Sequence, residues 1–449
     1  MGVPGGGMRC DAARGAAGEE AGYPPRPYAW AVVAILVATA VLSYTDRQVL
    51  SLLVDPIRRD LGISDLQVSL LLGSAFAVIY GVAGIPFGWL ADRVSRRNLI
   101  FAGSLIWGIG TVSCAYAGSF AQLFAARVVV GLGESVLSPA AISLISDYFP
   151  PSRRGLAVGS FLSGIAIGQG AAILIGGAAL HLVEAGTLAS TPLGTLAPWR
   201  LVLLIIGAPA LVWSLALFLV REPVRHGTRT IAGAAQAAGP GIASILRGPV
   251  VPMYAVVAAA SLVDNAVGAW APTLLIRGFH LNAASVGLAL GLRLVVGFGG
   301  GVLLGGWLSD RAGRGGGWPR KLLVCLGVSL LILPTSWMID GASANRVMLA
   351  VPAYFLLSGA FTACGFSAIL DVVPGERRGL AMAVSFFLNV AVGAGLGPTM
   401  VALASAHVFG RQAGLGEPIA LTATFGYGLN AAVLIAALIL FRRDRRTRA

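Results

Sequence analysis

One short stretch occurs twice in the chain, as Gly88-Trp-Leu-Ala-Asp-Arg-Val-Ser-Arg-Arg97 and as Gly306-Trp-Leu-Ser-Asp-Arg-Ala-Gly-Arg-Gly315. A second stretch recurs in the same order, since Asp147-Tyr-Phe-Pro-Pro-Ser-Arg-Arg-Gly-Leu-Ala157 returns as Asp371-Val-Val-Pro-Gly-Glu-Arg-Arg-Gly-Leu-Ala381. The copies lie 218 residues apart for the first stretch (88 to 306) and 224 apart for the second (147 to 371). Repetition in parallel order predicts two copies of one structural unit.

The composition places both units in a membrane. Hydrophobic residues make up 57% of the 449 residues, charged residues make up 11%, and the mean hydropathy is +0.83. Soluble domains have about 25% charged residues. Apolar runs of about 20 residues, long enough to cross about 30 Å of hydrocarbon, occur six times before and six times after a polar stretch. We expect an all-α integral membrane protein whose twelve transmembrane helices form two pseudo-symmetric six-helix bundles.

The charge distribution predicts the orientation. Most of the 32 Lys and Arg residues lie on the side that holds both termini, so the positive-inside rule places both termini in the cytoplasm, and we expect a bacterial-type inner membrane. The basic end of the chain, Arg442-Arg-Asp-Arg-Arg446, indicates an anchor for anionic membrane lipids rather than for nucleic acid. The expected segments are a disordered tail at 1–27, an N-terminal bundle at 28–220, a linker at 221–248, a C-terminal bundle at 249–441 and a basic tail at 442–449.

Enzymatic signatures are missing from the sequence. It has no Gly-x-Ser-x-Gly elbow, no Walker loop and no His-Glu-x-x-His, and Gly297-Phe-Gly-Gly-Gly-Val302 departs from the dinucleotide pattern at its last position. Its cysteines, at positions 10, 114, 325 and 364, have neither pairing nor metal-ligand spacing. We therefore predict no enzyme activity, no metal and no cofactor.

Glycines four residues apart recur inside the predicted helices. The pairs and triplets are Gly155/Gly159, Gly164/Gly168, Gly297/Gly301/Gly305 and Gly393/Gly397. This spacing brings small residues to one helix face and lets neighbouring backbones approach closely. It indicates helices that pack tightly against one another, and either static packing or sliding is compatible with it.

Charged side chains inside the apolar runs are the strongest indication of function. A charge at the bilayer centre costs about 2.5 to 3.5 kcal/mol on insertion scales, so such residues usually face a cavity and are paired. Asp46 and Arg47 are adjacent near the end of the first helix, and Arg127 and Glu134 share one face of the fourth. Further polar positions are Asp264 with Asn265 in the seventh helix and Arg293 in the eighth. Fixed ion pairs that only orient helices remain the alternative.

The doubled Gly-x-Leu-x-Asp-Arg pattern resembles the signature of the major facilitator superfamily. More narrowly, four stretches together resemble its spinster-like branch, whose members are similar to lysolipid and sphingosine-1-phosphate transporters. They are Tyr44-Thr-Asp-Arg-Gln-Val-Leu50, Ser74-Ala-Phe-Ala-Val-Ile-Tyr-Gly-Val-Ala-Gly-Ile-Pro86, Ala91-Asp-Arg-Val-Ser-Arg-Arg97 and Arg127-Val-Val-Val-Gly-Leu-Gly-Glu134. The resemblance implies alternating access, with helices 1, 4, 7 and 10 around a central cavity.

The resemblance also implies roles for individual residues. Asp46, with Glu134 as second choice, is expected to exchange a proton, and Arg47 and Arg127 are expected to bind an anionic headgroup. The remaining predicted substrate contacts are Tyr44, Asp264, Asn265, Tyr354 and Phe361. A polar N-terminal half that faces an apolar C-terminal half suits an amphiphilic substrate.

The doubled motif predicts a conformational latch. Asp92 is expected to lie against the start of helix 11 near Gly379, and Asp310 against helix 5 near Gly155, where helix N-termini attract carboxylates. This latch is expected to stabilise the outward-facing state. Its members are Gly88, Asp92, Arg93, Arg97, Gly306, Asp310 and Arg311.

Alternative functions remain open on the sequence alone. The first expectation is a secondary active transporter, proton-coupled, for a lysophospholipid or sphingoid phosphate. An organic-anion symporter and a polyspecific drug exporter are the alternatives within transport, and a lipid-binding sensor that does not transport is the alternative outside it. The expected partners are the small-molecule substrate, protons and membrane lipids, and we expect a monomer.

Overall fold

The computed structural model describes residues 23–91, 93–187, 191–225, 248–373, 378–409 and 414–448. Within these ranges twelve helices are long and apolar enough to cross a membrane, as predicted. They are α1 (Arg26–Leu52), α2 (Asp65–Gly84), α3 (Arg96–Ala115), α4 (Phe120–Tyr148), α5 (Leu156–Glu184), α6 (Pro198–Leu219), α7 (Val250–Phe279), α8 (Ala283–Arg314), α9 (Trp318–Trp337), α10 (Ala344–Val372), α11 (Val384–Phe409) and α12 (Gly416–Phe441).

The two sets of six helices pack in the same way. In the N-terminal half, α3 packs against α4 and α6, and in the C-terminal half α9 packs against α10 and α12. The contact between α1 and α6 likewise corresponds to the contact between α7 and α12. The chain is an integral, multi-pass membrane protein whose halves repeat one architecture.

Side-chain caps fix several helix starts. Ser119, Asn282 and Ser343 each accept a hydrogen bond from the backbone N–H three residues on, at the starts of α4, α8 and α10. Such caps satisfy backbone donors that a helix start leaves free. At the C-terminus, the helical backbone of α12 continues through Arg448. The predicted basic tail at 442–449 therefore begins as an extension of α12.

Two membrane helices depart from regular α-helix. The α4 segment consists of Phe120–Glu134 and Leu137–Tyr148, so the regular helix ends at Glu134 and restarts three residues later. The α11 segment is π-helical over Asn389–Ala394 and again over Ser405–Phe409. Such π segments are frequent at functional sites, and the first of them packs against α7.

Glycine backbones form the contact between the halves. A Cβ on Gly170, Gly177, Gly287 or Gly291 would collide with the backbone of the facing helix, in the contact between α5 and α8. The second contact joins α2 to α11, where Ser74 Oγ donates to the carbonyl of Gly395 at 2.8 Å. Of the predicted glycines, Gly297, Gly301 and Gly305 instead pack on α10 within their own half.

The halves meet toward one face only. We call the face that carries both chain ends the terminal face and the other the opposite face. Contacts between α5 and α8 lie from Ile167 to Gly177 and from Gly287 to Gly299. Nearer the terminal face, Gly159 and Gly306 have only open space around the position of a Cβ. The structure is therefore closed at the opposite face and open toward the terminal face.

Candidate functional site

Two helices of the N-terminal half bring four charged side chains together. Arg47 Nη2 of α1 lies 2.6 Å from Glu134 Oε2 of α4, and Arg127 Nη1 of α4 lies 3.9 Å from Asp46 Oδ1 of α1. Each arginine thus pairs with a carboxylate of the other helix. We call Asp46, Arg47, Arg127 and Glu134 the charge quartet.

The quartet is deeply buried. Asp46 is 3% exposed, and Arg127 and Glu134 are 1% exposed. Removing charges from water at such positions costs several kcal/mol per ion, a cost that only close pairing offsets. Because two positive and two negative charges face one another, the quartet has no net charge when all four side chains are ionised.

Neighbouring side chains complete the surroundings of the quartet. The hydroxyl of Thr111 on α3 donates to Asp46 Oδ2. The Arg47 guanidinium lies 3.9 Å from the ring centre of Phe76, 4.7 Å from Tyr44 and 5.4 Å from Tyr80. Arginine over aromatic faces is favourable by about 0.5 to 2 kcal/mol. The predicted contact residue Tyr44 therefore lies at the site, while Phe76 and Tyr80 were not predicted as site residues.

Several polar atoms of the quartet keep hydrogen-bonding capacity. Among the described residues, Arg47 Nε, Arg127 Nε, Arg127 Nη2 and Glu134 Oε1 are buried without a hydrogen-bond partner. Buried polar groups are normally paired, and a carboxylate or phosphate suits the planar donors of arginine. The quartet can therefore accept an additional anionic or hydroxyl-bearing group.

The C-terminal half holds one carboxylate with a different set of neighbours. Asp264 on α7 accepts hydrogen bonds from Tyr354 at 2.7 Å and Ser358 at 2.6 Å, both on α10, and from Tyr427 of α12 at 3.4 Å. In the part of the chain that the structure describes, no Arg, Lys or His lies within 4.0 Å of its oxygens. We call Asp264 and its three donors the hydroxyl site.

The hydroxyl site and the quartet are related by the internal repeat. Asp264 follows Asp46 by 218 residues, the spacing that separates Gly88 from Gly306. Ser358 follows Glu134 by 224 residues, the spacing of the second repeated stretch. Applying these offsets to every charged residue would have matched the two carboxylates from sequence.

A small pocket, which we call the cavity, lies between the halves. Its lining residues are Gln48, Gln169, Gly170, Ile173, Gly268, Leu294, Phe298 and Phe355. Gln48 follows Arg47 of the quartet, and Gly268 lies one helical turn beyond Asp264 on the same face of α7. The lining of the cavity therefore includes residues that lie within one helical turn of each polar site, and most of its wall is apolar.

The other predicted contact residues have structural neighbours of their own. Asn265 Nδ2 donates to the carbonyl of Ser261 at 2.9 Å and so does not join Asp264. Phe361 is 0% exposed and packs against Tyr427, with ring centres 5.6 Å apart. Arg293 is exposed, and its guanidinium donates to its own helix at Ala289.

An ion network that sequence reasoning missed joins the halves at the opposite face. Arg277 at the end of α7 lies 2.7 Å from Asp55, in the first turn of the short helix Val54–Leu61, and 2.9 Å from Asp65, the first residue of α2. Arg58 of the short helix lies 3.1 Å from Asp65. We call these four residues the outer gate. Nothing in the linear sequence paired Arg277 with residues more than 200 positions away.

The predicted latch residues lie at the terminal face, and Asp92 lies outside the described residues. Asp310 is exposed and makes no ion pair within the described ranges, and Gly88 has open space at its Cβ position. The Arg93 guanidinium lies 3.6 Å from the ring centre of Trp89, and that of Arg311 lies 5.8 Å from Trp307. Arg97 contacts Asn98 at 2.8 Å. Asp310 is thus disengaged in a conformation open to this face, and the latch stays a prediction.

Comparison with known proteins identifies the class. Residues 36–398 match the Major Facilitator Superfamily, so the chain belongs to this superfamily and is a membrane transporter rather than an enzyme. An MFS-type efflux pump of Mycolicibacterium smegmatis is 28% identical over 427 residues, covering 93% of this chain and 94% of the relative. A probable sulfoacetate transporter of Cupriavidus necator is 30% identical over 359 residues, covering 73% and 76%.

The fold also matches a solved spinster homologue. A bacterial homologue of the human lysosomal transporter spinster, in an inward-facing and occupied conformation, superposes with a TM-score of 0.76 at 24% identity. The match covers 94% of this chain and 98% of the other. The resemblance to the spinster-like branch is confirmed at the level of the fold.

Proposed function

We propose that this transporter moves an amphiphilic organic anion, of lysophospholipid or sphingoid phosphate type, in exchange with or together with protons. The observation that carries the proposal is the buried charge quartet, whose arginines keep unpartnered donor atoms on helices that also line a largely apolar cavity. The quartet supplies guanidinium groups for an anionic headgroup, and Ile173, Leu294, Phe298 and Phe355 supply surface for a hydrocarbon part.

Proton coupling follows from the charge balance of the quartet. With both carboxylates ionised the four charges cancel, so an added anion meets no net attraction. Protonation of Asp46, or of Glu134 as second choice, leaves one positive charge in excess and frees an arginine for the substrate. Proton binding therefore favours anion binding at the same site.

Alternating access uses contacts at both faces. The outer gate and the contact between α5 and α8 hold the opposite face closed. Opening that face breaks the ion pairs of Arg277, while the doubled motif, with Asp92 and Asp310, closes the terminal face in the outward-facing state. With the terminal face assigned to the cytoplasm, the conformation described above is inward-facing.

The test is flux of a labelled lysophospholipid in proteoliposomes, with and without an imposed proton gradient. We expect gradient-dependent flux in the wild type and its loss in the double variant Asp46→Asn, Glu134→Gln. The matched control is Asp340→Asn, the same chemical change on a half-buried loop residue, which lies 3.6 Å from Arg346 and accepts a hydrogen bond from the Ala342 backbone. Gradient-driven flux that persists in the double variant excludes these carboxylates as the proton carriers.

A small organic anion is the second candidate substrate. This candidate is favoured by the similarity to the Cupriavidus necator protein, which is described as a probable sulfoacetate transporter and is 30% identical. The quartet suits a sulfonate or carboxylate as well as a phosphate, and only the apolar cavity wall distinguishes the candidates. Competition decides between them: inhibition of lysophospholipid flux by sulfoacetate and hexuronate, but not by neutral sugars, would favour the organic anion.

A further inference from the structure

The hydroxyl site contains a carboxylate that forms no ion pair with any residue described in the structure. Asp264 accepts hydrogen bonds from three hydroxyl groups, and none of these donors carries a positive charge. An unpaired carboxylate inside a membrane helix is costly, and such residues usually mark the position of a ligand or ion. The quartet in the other half does not offset it, because its own four charges already cancel.

The carboxylate keeps room for one more partner. An ionised carboxylate has about four acceptor positions, and the three hydroxyl donors occupy three of them. Tyr354, Ser358 and Tyr427 are each 0% exposed, whereas Asp264 is half-buried. A ligand can therefore approach Asp264 without displacing its donors.

Aromatic rings pack around the hydroxyl site. The rings of Tyr354 and Tyr427 lie edge to face with centres 6.0 Å apart, and Phe355 follows at 5.2 Å from Tyr354. Phe355 also lines the cavity, and a Cβ on Gly268 would lie 3.6 Å from its ring. An anion beside aromatic faces is the arrangement that binds ammonium groups, by charge attraction and by cation–π contact.

We propose that Asp264, with the cavity-lining ring of Phe355 nearby, is a recognition site for a positively charged nitrogen of the substrate. This inference rests on the proposed function and deepens it: the cavity then presents guanidinium groups on the N-terminal side and a carboxylate on the C-terminal side. A substrate that carries both an anionic and a cationic group is complementary to both. A small dicarboxylate or sulfonate lacks the group that Asp264 attracts.

The test compares two probes that differ only in charge. One is lysophosphatidylcholine, and the other is its 3,3-dimethylbutyl ester, in which carbon replaces the choline nitrogen at nearly equal shape. Binding to the purified full chain in lipid nanodiscs is measured for both. We expect the wild type to prefer the choline probe by about tenfold, Asp264→Asn to reduce this preference below about twofold, and the control Asp340→Asn to retain it.

Each outcome separates this inference from the proposed function. Equal binding of the two probes to the wild type overturns the cation site and leaves amphiphile binding intact, and this comparison needs no variant to fold. A preference that survives Asp264→Asn also overturns it. If neither probe binds the wild type, the amphiphile proposal is refuted, and the cation site that rests on it is refuted as well.

Discussion

The two halves carry the same carboxylate in opposite surroundings. Asp46 in the N-terminal half faces Arg127 and lies beside the Arg47–Glu134 pair, whereas the partners of Asp264 among the described residues are hydroxyl groups. At the positions that correspond by the offsets of the repeat, Arg47 is replaced by Asn265 and Glu134 by Ser358. A duplicated scaffold has thus kept one acidic position on helices α1 and α7 while the charges around it diverged.

The difference separates two physical tasks. A carboxylate held by arginine can exchange partners, so that a proton or an anion changes which pair is formed. A carboxylate held by hydroxyls has no cation to release and keeps its attraction for one. This difference is the basis for proposing that the N-terminal half binds anions and protons and that the C-terminal half binds a cationic group.

Removing the arginine of the buried pair gives the largest expected effect. Arg127→Ala leaves Asp46 buried without its cation, which costs about 3 to 5 kcal/mol of stability. We expect a lower melting temperature and loss of gradient-driven flux. The matched control is Arg293→Ala, because Arg293 is an exposed arginine on a membrane helix. Wild-type melting of Arg127→Ala would show that the 3.9 Å pair contributes nothing to stability.

Neutralising the two corresponding carboxylates sharpens the comparison. Asp46→Asn leaves the buried Arg127 without a carboxylate, and we expect a loss of about 3 kcal/mol. Asp264→Asn removes a negative charge that pairs with no cation among the described residues. Because the amide oxygen still accepts a hydrogen bond from Tyr354 or Ser358, we expect the free energy of unfolding to change by less than about 1 kcal/mol. Thermal unfolding of both purified variants measures the difference, and equal losses would contradict the distinction between the halves.

The sequence predicted the parts of this arrangement that depend on period and repetition. Apolar runs and the doubled motif define twelve helices and two units, and the spacing of Arg127 and Glu134 places them on one helix face. The cross-pairing of the quartet was not predictable, because Asp46 and Arg47 are neighbours in sequence but point about 100° apart around α1. Which residue of α4 each one meets depends on how the two helices pack.

Long-range contacts between the halves were equally inaccessible. The glycines that meet between α5 and α8 are Gly170, Gly177, Gly287 and Gly291, none of which belongs to the predicted sets. A glycine pattern shows that another helix can pack closely on that face, but it does not identify which helix does so. The outer gate was missed for the same reason, since its ion pairs join loops and helix ends of different halves.

Breaking the outer gate tests how the halves are coupled. Arg277→Ala removes the ion pairs to Asp55 and Asp65, and we expect the population open at the opposite face to rise about tenfold, a change of about 1.4 kcal/mol. The readout is labelling of Gln48→Cys in the cavity by an impermeant maleimide added at that face, in a Cys10→Ser background.

The remaining cysteines, at positions 114, 325 and 364, are buried and so do not compete for the label. The control is Arg200→Ala, which breaks an ion pair to Asp60 at 2.7 Å on the same face but inside one half. Equal labelling of the two variants would mean that Arg277 does not hold the halves together.

The smallest expected effect lies at the terminal face, where the halves again differ. Arg96 at the start of α3 contacts both Asp147 and Glu222, whereas Lys321 at the start of α9 pairs with Asp371 at 2.6 Å and donates to Ser367. Since Asp147 remains, we expect Glu222→Gln to cost only about 1 kcal/mol at neutral pH. Asp371→Asn removes the carboxylate that pairs with the buried Lys321 and is expected to cost more.

The pH dependence identifies the source of that cost. Burial raises the pKa of Glu222, but hydrogen bonds from the Arg97 backbone, Arg96 and Ser95 outweigh it and hold the pKa below its ordinary value. The stabilisation of the folded protein by ionised Glu222 is therefore complete above about pH 4.3, the ordinary glutamate pKa. It is lost as the pH falls through the lowered pKa that Glu222 has in the folded protein. We expect the gap in melting temperature between wild type and Glu222→Gln to be present at neutral pH and to close in acid. A gap that stays constant as the pH falls would attribute the cost to packing, because packing does not change when Glu222 is protonated.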